Sequence, residues 1–150
     1  MRLHLQRRAA RAQPHGASDK PLAHAAEIDH TSRVTRVVVI EDHADTADLM
    51  DEILRQAGHE VAVAHNGADG IAAARRLAAE VVLCDVGLPD MDGYEVARTL
   101  RADATTSGAH IVALTGYDGE EEQRMARDAG FDRHVVKPID PFKLESLLKR

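Results

Sequence analysis

From Val34 onward, short apolar runs alternate with longer stretches at helical spacing. Val37 to Ile40 is a predicted strand. Met50, Ile53, Leu54 and Ala57 then repeat at helical intervals, and Gly58 follows as a stop. Val61 to Ala64 is a second strand, followed by a helix marked by Ile71, Ala74, Leu77 and Ala78. Val81 to Cys84 is the third strand, with a helix over Tyr94 to Leu100 that puts Val96 and Leu100 on one face. Ile111 to Leu114 is the fourth. The stretch "EEEQRMARDA", Glu120 to Ala129, spells a helix that offers only Met125 and alanines for burial. His134 to Val136 is a short fifth strand, and a helix over Pro141 to Leu148 turns Leu144, Leu147 and Leu148 inward.

Strand and helix alternate five times. That order predicts an α/β, doubly wound, five-stranded parallel sheet with helices on both faces. Covering both faces explains why the strands read as unbroken apolar runs rather than alternating ones.

Residues 1–33 break this pattern. They are rich in Ala, Arg, His and Gln, contain Pro14, Gly16 and Pro21, and show no sustained apolar periodicity. We read them as a disordered N-terminal tail or linker, and 34–150 as the folded domain. Residues 1–18 hold four arginines and no acid, as organelle-targeting peptides do, but a solvated tail explains them as well. They have no continuous apolar segment of the secretory kind.

Charge sharpens the division. Residues 1–33 carry six Lys or Arg against three acids, so with a net charge of −6 overall the remainder holds −9. An acidic body suits a cation or a basic partner better than nucleic acid. Trp is absent and aromatics are 3%, so the core must be aliphatic. No run approaches the roughly 18 apolar residues of a membrane helix. The single cysteine, Cys84, rules out an internal disulfide framework and fits a small core residue in a reducing, cytoplasmic setting.

Sites in open parallel sheets form at the carboxyl ends of the strands. Glu41 and Asp42 follow the first strand, Asp85 the third, Thr115 and Gly116 the fourth, and Lys137 and Pro138 the fifth. Three carboxylates sharing a few ångströms repel by roughly several kcal/mol at intermediate dielectric. Proton uptake or a hard divalent cation with oxygen ligands relieves this, and Mg²⁺ suits the set. Lys137 adds a point charge able to hold a phosphoryl group, and Thr115 a hydroxyl donor. Such an assembly serves an aspartyl phosphate, with Asp85 as nucleophile because it is the lone acid on the central strand.

The segments "VVVIEDH", "VVLCDVGLPDMDGYEVA", "IVALTGY" and "HVVKPID", in this order, resemble the receiver domain of two-component response regulators. The resemblance covers Thr35 to Arg150. It implies a flavodoxin-like strand order, 2-1-3-4-5. It further implies a phosphorelay protein whose Asp85 accepts a phosphoryl group from a sensor histidine kinase or a histidine phosphotransfer protein and then switches the binding of a downstream protein. Asp42, Asp85 and the Gly87 carbonyl would ligate Mg²⁺, with Glu41 acting through water. Lys137, Thr115 and the amides of Val86 and Gly116 would hold the phosphoryl oxygens, and the Lys137–Pro138 bond would be cis. The protein would not be an enzyme beyond its own phosphorylation and dephosphorylation, and would need neither nucleic acid nor membrane directly.

Three positions depart from the family pattern. His134 stands where Phe or Tyr commonly serves as a rotating switch. Gly87 and Tyr117 occupy the positions that tune hydrolysis; glycine offers nothing to orient water, so slow self-dephosphorylation is expected. Nothing follows Arg150, so output is expected through protein contact or phosphoryl relay. Two rival chemistries lack their residues. A haloacid-dehalogenase-type phosphatase wants a second Asp where Gly87 stands, and a nucleotide-binding module wants a Gly-rich phosphate loop. A receiver-shaped scaffold that is never phosphorylated is the remaining alternative, and the intact five-residue set argues against it.

Overall fold

The computed structural model describes residues 33–150. The tail expected over 1–33 lies outside these residues, apart from Arg33. Val34–Arg150 forms one compact unit.

Five strands form the sheet: β1 (Arg36–Ile40), β2 (Glu60–Ala64), β3 (Val81–Asp85), β4 (His110–Thr115) and β5 (Arg133–Val136). Their order is β2-β1-β3-β4-β5 and every pairing is parallel. Four α-helices connect them: α1 (Ala44–Gln56), α2 (Gly67–Leu77), α3 (Gly93–Ala102) and α4 (Glu120–Ala129).

Residue parity along the strands divides the core. Val38, Ile40, Val82, Cys84, Ile111 and Ala113 face α2, α3 and α4. Val37, Val39, Val81, Leu83, Val112 and Leu114 face α1 and the C-terminal segment. The whole of β3 is buried, as a strand covered on both faces requires. Each fully buried aliphatic side chain contributes roughly 1.5–3 kcal/mol, so the uninterrupted runs of β1, β3 and β4 anchor the sheet.

Two elements differ from their sequence reading. In α4 the inward residues are Ala126 and Ala129, while Met125 is 42% exposed. Two small residues let the helix approach the sheet closely, and the methionine points outward. The C-terminal segment is not one helix. It forms two 3₁₀ turns, Pro141–Lys143 and Glu145–Leu148. Asp140 starts the first by accepting from the Phe142 amide at 2.9 Å. Three residues per 3₁₀ turn bring Leu144 and Leu147 to the same face, and both are buried. Leu148 is only half-buried, and Phe142 is almost wholly exposed.

At the amino edge of the sheet, polar groups hold the loops together. Arg101, at the end of α3, donates to the carbonyls of Gly130, Ser107 and Ala109 and to the Asp132 carboxylate. Asp132 also accepts from the Ile111 amide at 2.8 Å. Arg36 donates to the Leu77 and Ala78 carbonyls, steadying Ala78, which caps α2 at a left-handed φ of 49°. His59 accepts from the Thr35 amide at Nδ1, so its proton sits on Nε2, facing Glu145. Among the described residues no helix is long and apolar enough to cross a membrane.

Candidate functional site

Register decides what meets at the carboxyl edge. Ile40 pairs with Cys84, so the residues that follow, Glu41 and Asp85, emerge side by side. Asp85 pairs with Leu114, which puts Thr115 one step beyond it. Thr115 pairs with Val136, so Lys137 leaves β5 at the same edge.

Side chains then close the gap between strands. Lys137 Nζ lies 2.8 Å from Glu41 Oε2 and 3.2 Å from Asp85 Oδ2. Glu41 is 1% exposed and Asp85 8%, whereas Asp42 stands exposed at the rim. One carboxylate oxygen from each of the three acids lies within 4.8 Å of the others. Glu41 Oε1 also accepts from the His43 amide at 3.3 Å, so Glu41 is held from both sides.

The electrostatics follow from this packing. Burial pulls the Lys137 ammonium down, but its hydrogen bonds and ion pairs with Glu41 and Asp85 outweigh that and hold it above the ordinary lysine range. One ammonium among three carboxylates leaves an excess of two negative charges. Oxygen donors of this number and charge fit a hard divalent cation. Burial first, then the neighbouring Asp85 and Glu41 charges, push the Cys84 thiol far up. Its sulfur donates to the Asp85 carbonyl at 3.3 Å, and it stays a protonated core residue rather than a redox group.

The backbone around Asp85 is equally fixed. The Gly87 amide donates to Asp85 Oδ1 at 3.0 Å. The Val86 amide, expected to face a phosphoryl oxygen, instead donates to the Leu114 carbonyl at 3.0 Å and extends the β3–β4 ladder. Parallel pairing runs one residue past the strand, so the amide beside the carboxylate is that of Gly87. Gly93 closes the loop by donating to the Val86 carbonyl at 2.7 Å. A β-carbon on Gly93 would come within 2.6 Å of Val86 Cα, so only glycine fits there. Thr115 Oγ1 accepts from the Tyr117 amide at 3.2 Å, and the Lys137 amide donates to the Thr115 carbonyl at 2.7 Å. The Lys137–Pro138 bond is cis. Tyr117 is 73% exposed at the same edge, and His134 lies half-buried on β5 opposite Ala113.

Two contacts at the rim have no local sequence signal. His65 Nδ1 lies 3.1 Å from the Glu41 carbonyl, joining the end of β2 to the acid pair. Asp90 reaches across to the start of α2 and accepts from the Gly67 and Ala68 amides. Asp90 in "LPDMDG" reads from sequence only as a turn residue after proline. Its partners lie more than twenty residues back.

Comparisons with known proteins agree with this geometry. Residues 37–149 match the family model described as response regulator receiver domain. The chain is 32% identical over 116 residues to PilH of Pseudomonas aeruginosa, covering 77% of this chain and 93% of PilH. It is 36% identical over 109 residues to the DNA-binding response regulator MtrA of Mycobacterium tuberculosis, but that match spans 73% of this chain and only 46% of MtrA. Among solved structures, the chemotaxis response regulator CheY4 of Vibrio cholerae superposes with a TM-score of 0.73 at 26% identity, over 77% of this chain and 97% of CheY4. The receiver domain of sensor histidine kinase PA1611 of Pseudomonas aeruginosa, whose active-site cleft coordinates a magnesium ion, superposes with a TM-score of 0.70 at 25% identity, over 77% and 95% of the two chains. With its strand order, its acidic edge and its family match taken together, this chain belongs to the response regulator receiver domain family of two-component systems.

Proposed function

We propose that Asp85 is the phosphoacceptor of a two-component phosphorelay and that its phosphorylation switches the binding of a partner protein. The observation that carries this reading is the ion-pair bridge of Lys137 between Glu41 and Asp85, with Asp42 at the rim. A structural ion pair needs one acid; here the amine bridges two, and Asp42 brings a third carboxylate oxygen within 4.8 Å of theirs.

In the proposed transfer, an Asp85 carboxylate oxygen attacks the phosphorus of a phosphohistidine on a sensor histidine kinase or histidine phosphotransfer protein. The P–N bond breaks, its electron pair stays on the imidazole nitrogen, and that ring retains or regains a proton. Asp42, Asp85 and the Gly87 carbonyl are the proposed Mg²⁺ ligands, with Glu41 acting through water. When bound, the cation supplies positive charge opposite the phosphoryl oxygens. Lys137 exchanges its contact with Asp85 for one with the phosphoryl group. The Thr115 hydroxyl and the amides of Gly87 and Gly116 are the proposed donors to its remaining oxygens.

A phosphoryl group adds about −1.5 to −2 charge where negative charge is already in excess. Its capture would draw Thr115 and Lys137 inward and reshape the edge near α4 and β5. His134, at the switch position, and the exposed face of α4 are where we place the readout. The net charge of −6 suits a basic protein partner better than nucleic acid, and the single, buried Cys84 suits a reducing, cytoplasmic setting. Gly87, which has no side chain to orient water, supports a long-lived phosphoryl group.

The test is phosphoryl uptake from acetyl phosphate. Uptake is expected with Mg²⁺, and chelation is expected to abolish it. Asp42→Asn should require far more Mg²⁺ for the same rate. Uptake unaffected by chelation and by Asp42→Asn would refute the assignment.

A further inference from the structure

We propose that Asp90 is a positioning residue for the phosphoacceptor loop: seated on the N-terminus of α2, it keeps the Gly87 backbone turned toward Asp85. The inference rests on the reading of Asp85 as phosphoacceptor.

The segment from Val86 to Asp92 leaves β3 and returns to α3. Its base is closed by the bond from the Gly93 amide to the Val86 carbonyl. Its tip is pinned elsewhere. Asp90 Oδ1 accepts from the Gly67 amide at 2.7 Å and Oδ2 from the Ala68 amide at 2.9 Å. Those two backbone bonds hold the carboxyl below the usual carboxylate range, although the side chain is open to water. A carboxylate on unsatisfied amides at a helix start is favoured by both hydrogen bonding and the helix dipole.

The α2 terminus has a separate cap of its own. The Asn66 side chain accepts from the Asp69 amide at 2.8 Å and donates to the Asp69 carboxylate at 2.8 Å. The Gly70 amide bonds to the Asn66 carbonyl. Asp90 therefore takes the two amides that the local cap leaves over. What it adds is a tie between elements, because Asn66 belongs to the helix and Asp90 to the loop.

Close packing supports the tie. A β-carbon on Gly67 would lie 2.5 Å from Met91 Cγ, so the loop tip sits directly on the helix start. Gly87 stands between the fixed base and the fixed tip. It has no side chain to set its own peptide orientation, and a β-carbon there would meet nothing closer than Asp85 Oδ1 at 3.9 Å. Its amide nevertheless holds Asp85 Oδ1, and its carbonyl is a proposed ligand. The two ends of the loop set that geometry, and Asp90 is the polar anchor of the outer end.

The experiment compares two caps on one helix in the full chain: Asp90→Ala and Asn66→Ala, with Asp90→Asn as a milder variant that keeps one acceptor oxygen. Titration calorimetry with Mg²⁺, thermal unfolding, amide NMR spectra without metal, and uptake from acetyl phosphate are read for each. Asp90→Ala is expected to weaken Mg²⁺ binding about tenfold, as loss of a ligand's supporting contact does. Its uptake should slow at low Mg²⁺ and recover at saturating Mg²⁺, and the Gly87 amide signal should shift in the metal-free protein. Asp90→Asn should fall between it and wild type. Asn66→Ala should lower the unfolding temperature with wild-type Mg²⁺ affinity and an unshifted Gly87 signal. Wild-type Mg²⁺ affinity in Asp90→Ala and Asp90→Asn would overturn the inference alone, as would an equal loss in Asn66→Ala. A wild-type protein that neither binds Mg²⁺ nor takes a phosphoryl group would overturn the underlying reading, and this inference with it.

Discussion

The two edges of the sheet use charge in opposite ways. At the amino edge, Arg101 meets three carbonyls and a carboxylate, and Asp132 meets a guanidinium and a backbone amide. Opposite charges are matched there, and the network ties α3 to the loops flanking β4 and β5. At the carboxyl edge, one ammonium bridges two buried acids, Glu41 and Asp85, and a third, Asp42, stands at the rim. Matched charge holds a fold in place. Unmatched charge, held there by the same sheet, leaves an edge that, on the proposed function, would rearrange when a cation or a phosphoryl group arrives. The strands buried between the two edges make this asymmetry possible, since Glu41 and Asp85 are carried on the ends of apolar runs buried in the core.

The largest effect expected on this contrast is chemical. Lys137→Met should slow phosphoryl uptake from acetyl phosphate by about a hundredfold or more, the order seen when one donor to a developing anion is removed. A stopped-time course followed by intact mass reads it, and a rate near wild type would remove Lys137 from the site.

Next comes Arg101→Ala, at the opposite edge. It strips four acceptors and leaves Asp132 without its guanidinium, so a loss of about 3 kcal/mol is expected in urea unfolding. Protein that remains folded should take up phosphoryl at the wild-type rate. Slowed chemistry in this variant would show that the edges are not independent.

Asp85→Asn should act in the reverse sense on stability. With Asp85 neutral, Lys137 pairs with Glu41 alone and the repulsion at the carboxyl edge falls. A gain of about 1 kcal/mol is expected in metal-free urea unfolding. A loss of that size would mean that Lys137 already balances the cluster.

The smallest effect is a pH dependence at the amino edge. Burial lowers the His110 pKa below its ordinary value; Asp132, 3.5 Å away, opposes this, and Arg150, Arg133 and Arg101 add to it. The folded state therefore binds fewer protons than the unfolded one. Stability from this group is complete above about pH 6.5 and is lost as pH falls toward the lowered folded value. His110→Asn should flatten the slope of unfolding free energy between about pH 7 and 5. An unchanged slope would place the pH dependence elsewhere.

Much of the carboxyl edge was legible in the sequence because parallel strands deliver their last residues to a common place. Glu41, Asp42, Asp85, Thr115 and Lys137 could be gathered by counting strand ends. What the chain order does not encode is where each backbone group points. The Val86 amide belongs to the β3–β4 ladder, and Gly87 takes the place beside Asp85, because pairing runs one residue beyond the apolar stretch. Long-range ties such as Asp90 to Gly67 and Arg101 to Gly130 leave no periodic trace. The C-terminal leucines predicted a buried face but not its helix type: Leu144 and Leu147 stand three apart, a spacing that both α and 3₁₀ geometry satisfy, and Pro141 with Asp140 starts a tight turn.

Intact mass spectrometry after incubation with acetyl phosphate and Mg²⁺ tests the central claim most directly. The account predicts that wild-type protein gains the mass of one phosphoryl group and that Asp85→Asn gains none. Equal gain in both proteins, or no gain in either, would contradict it.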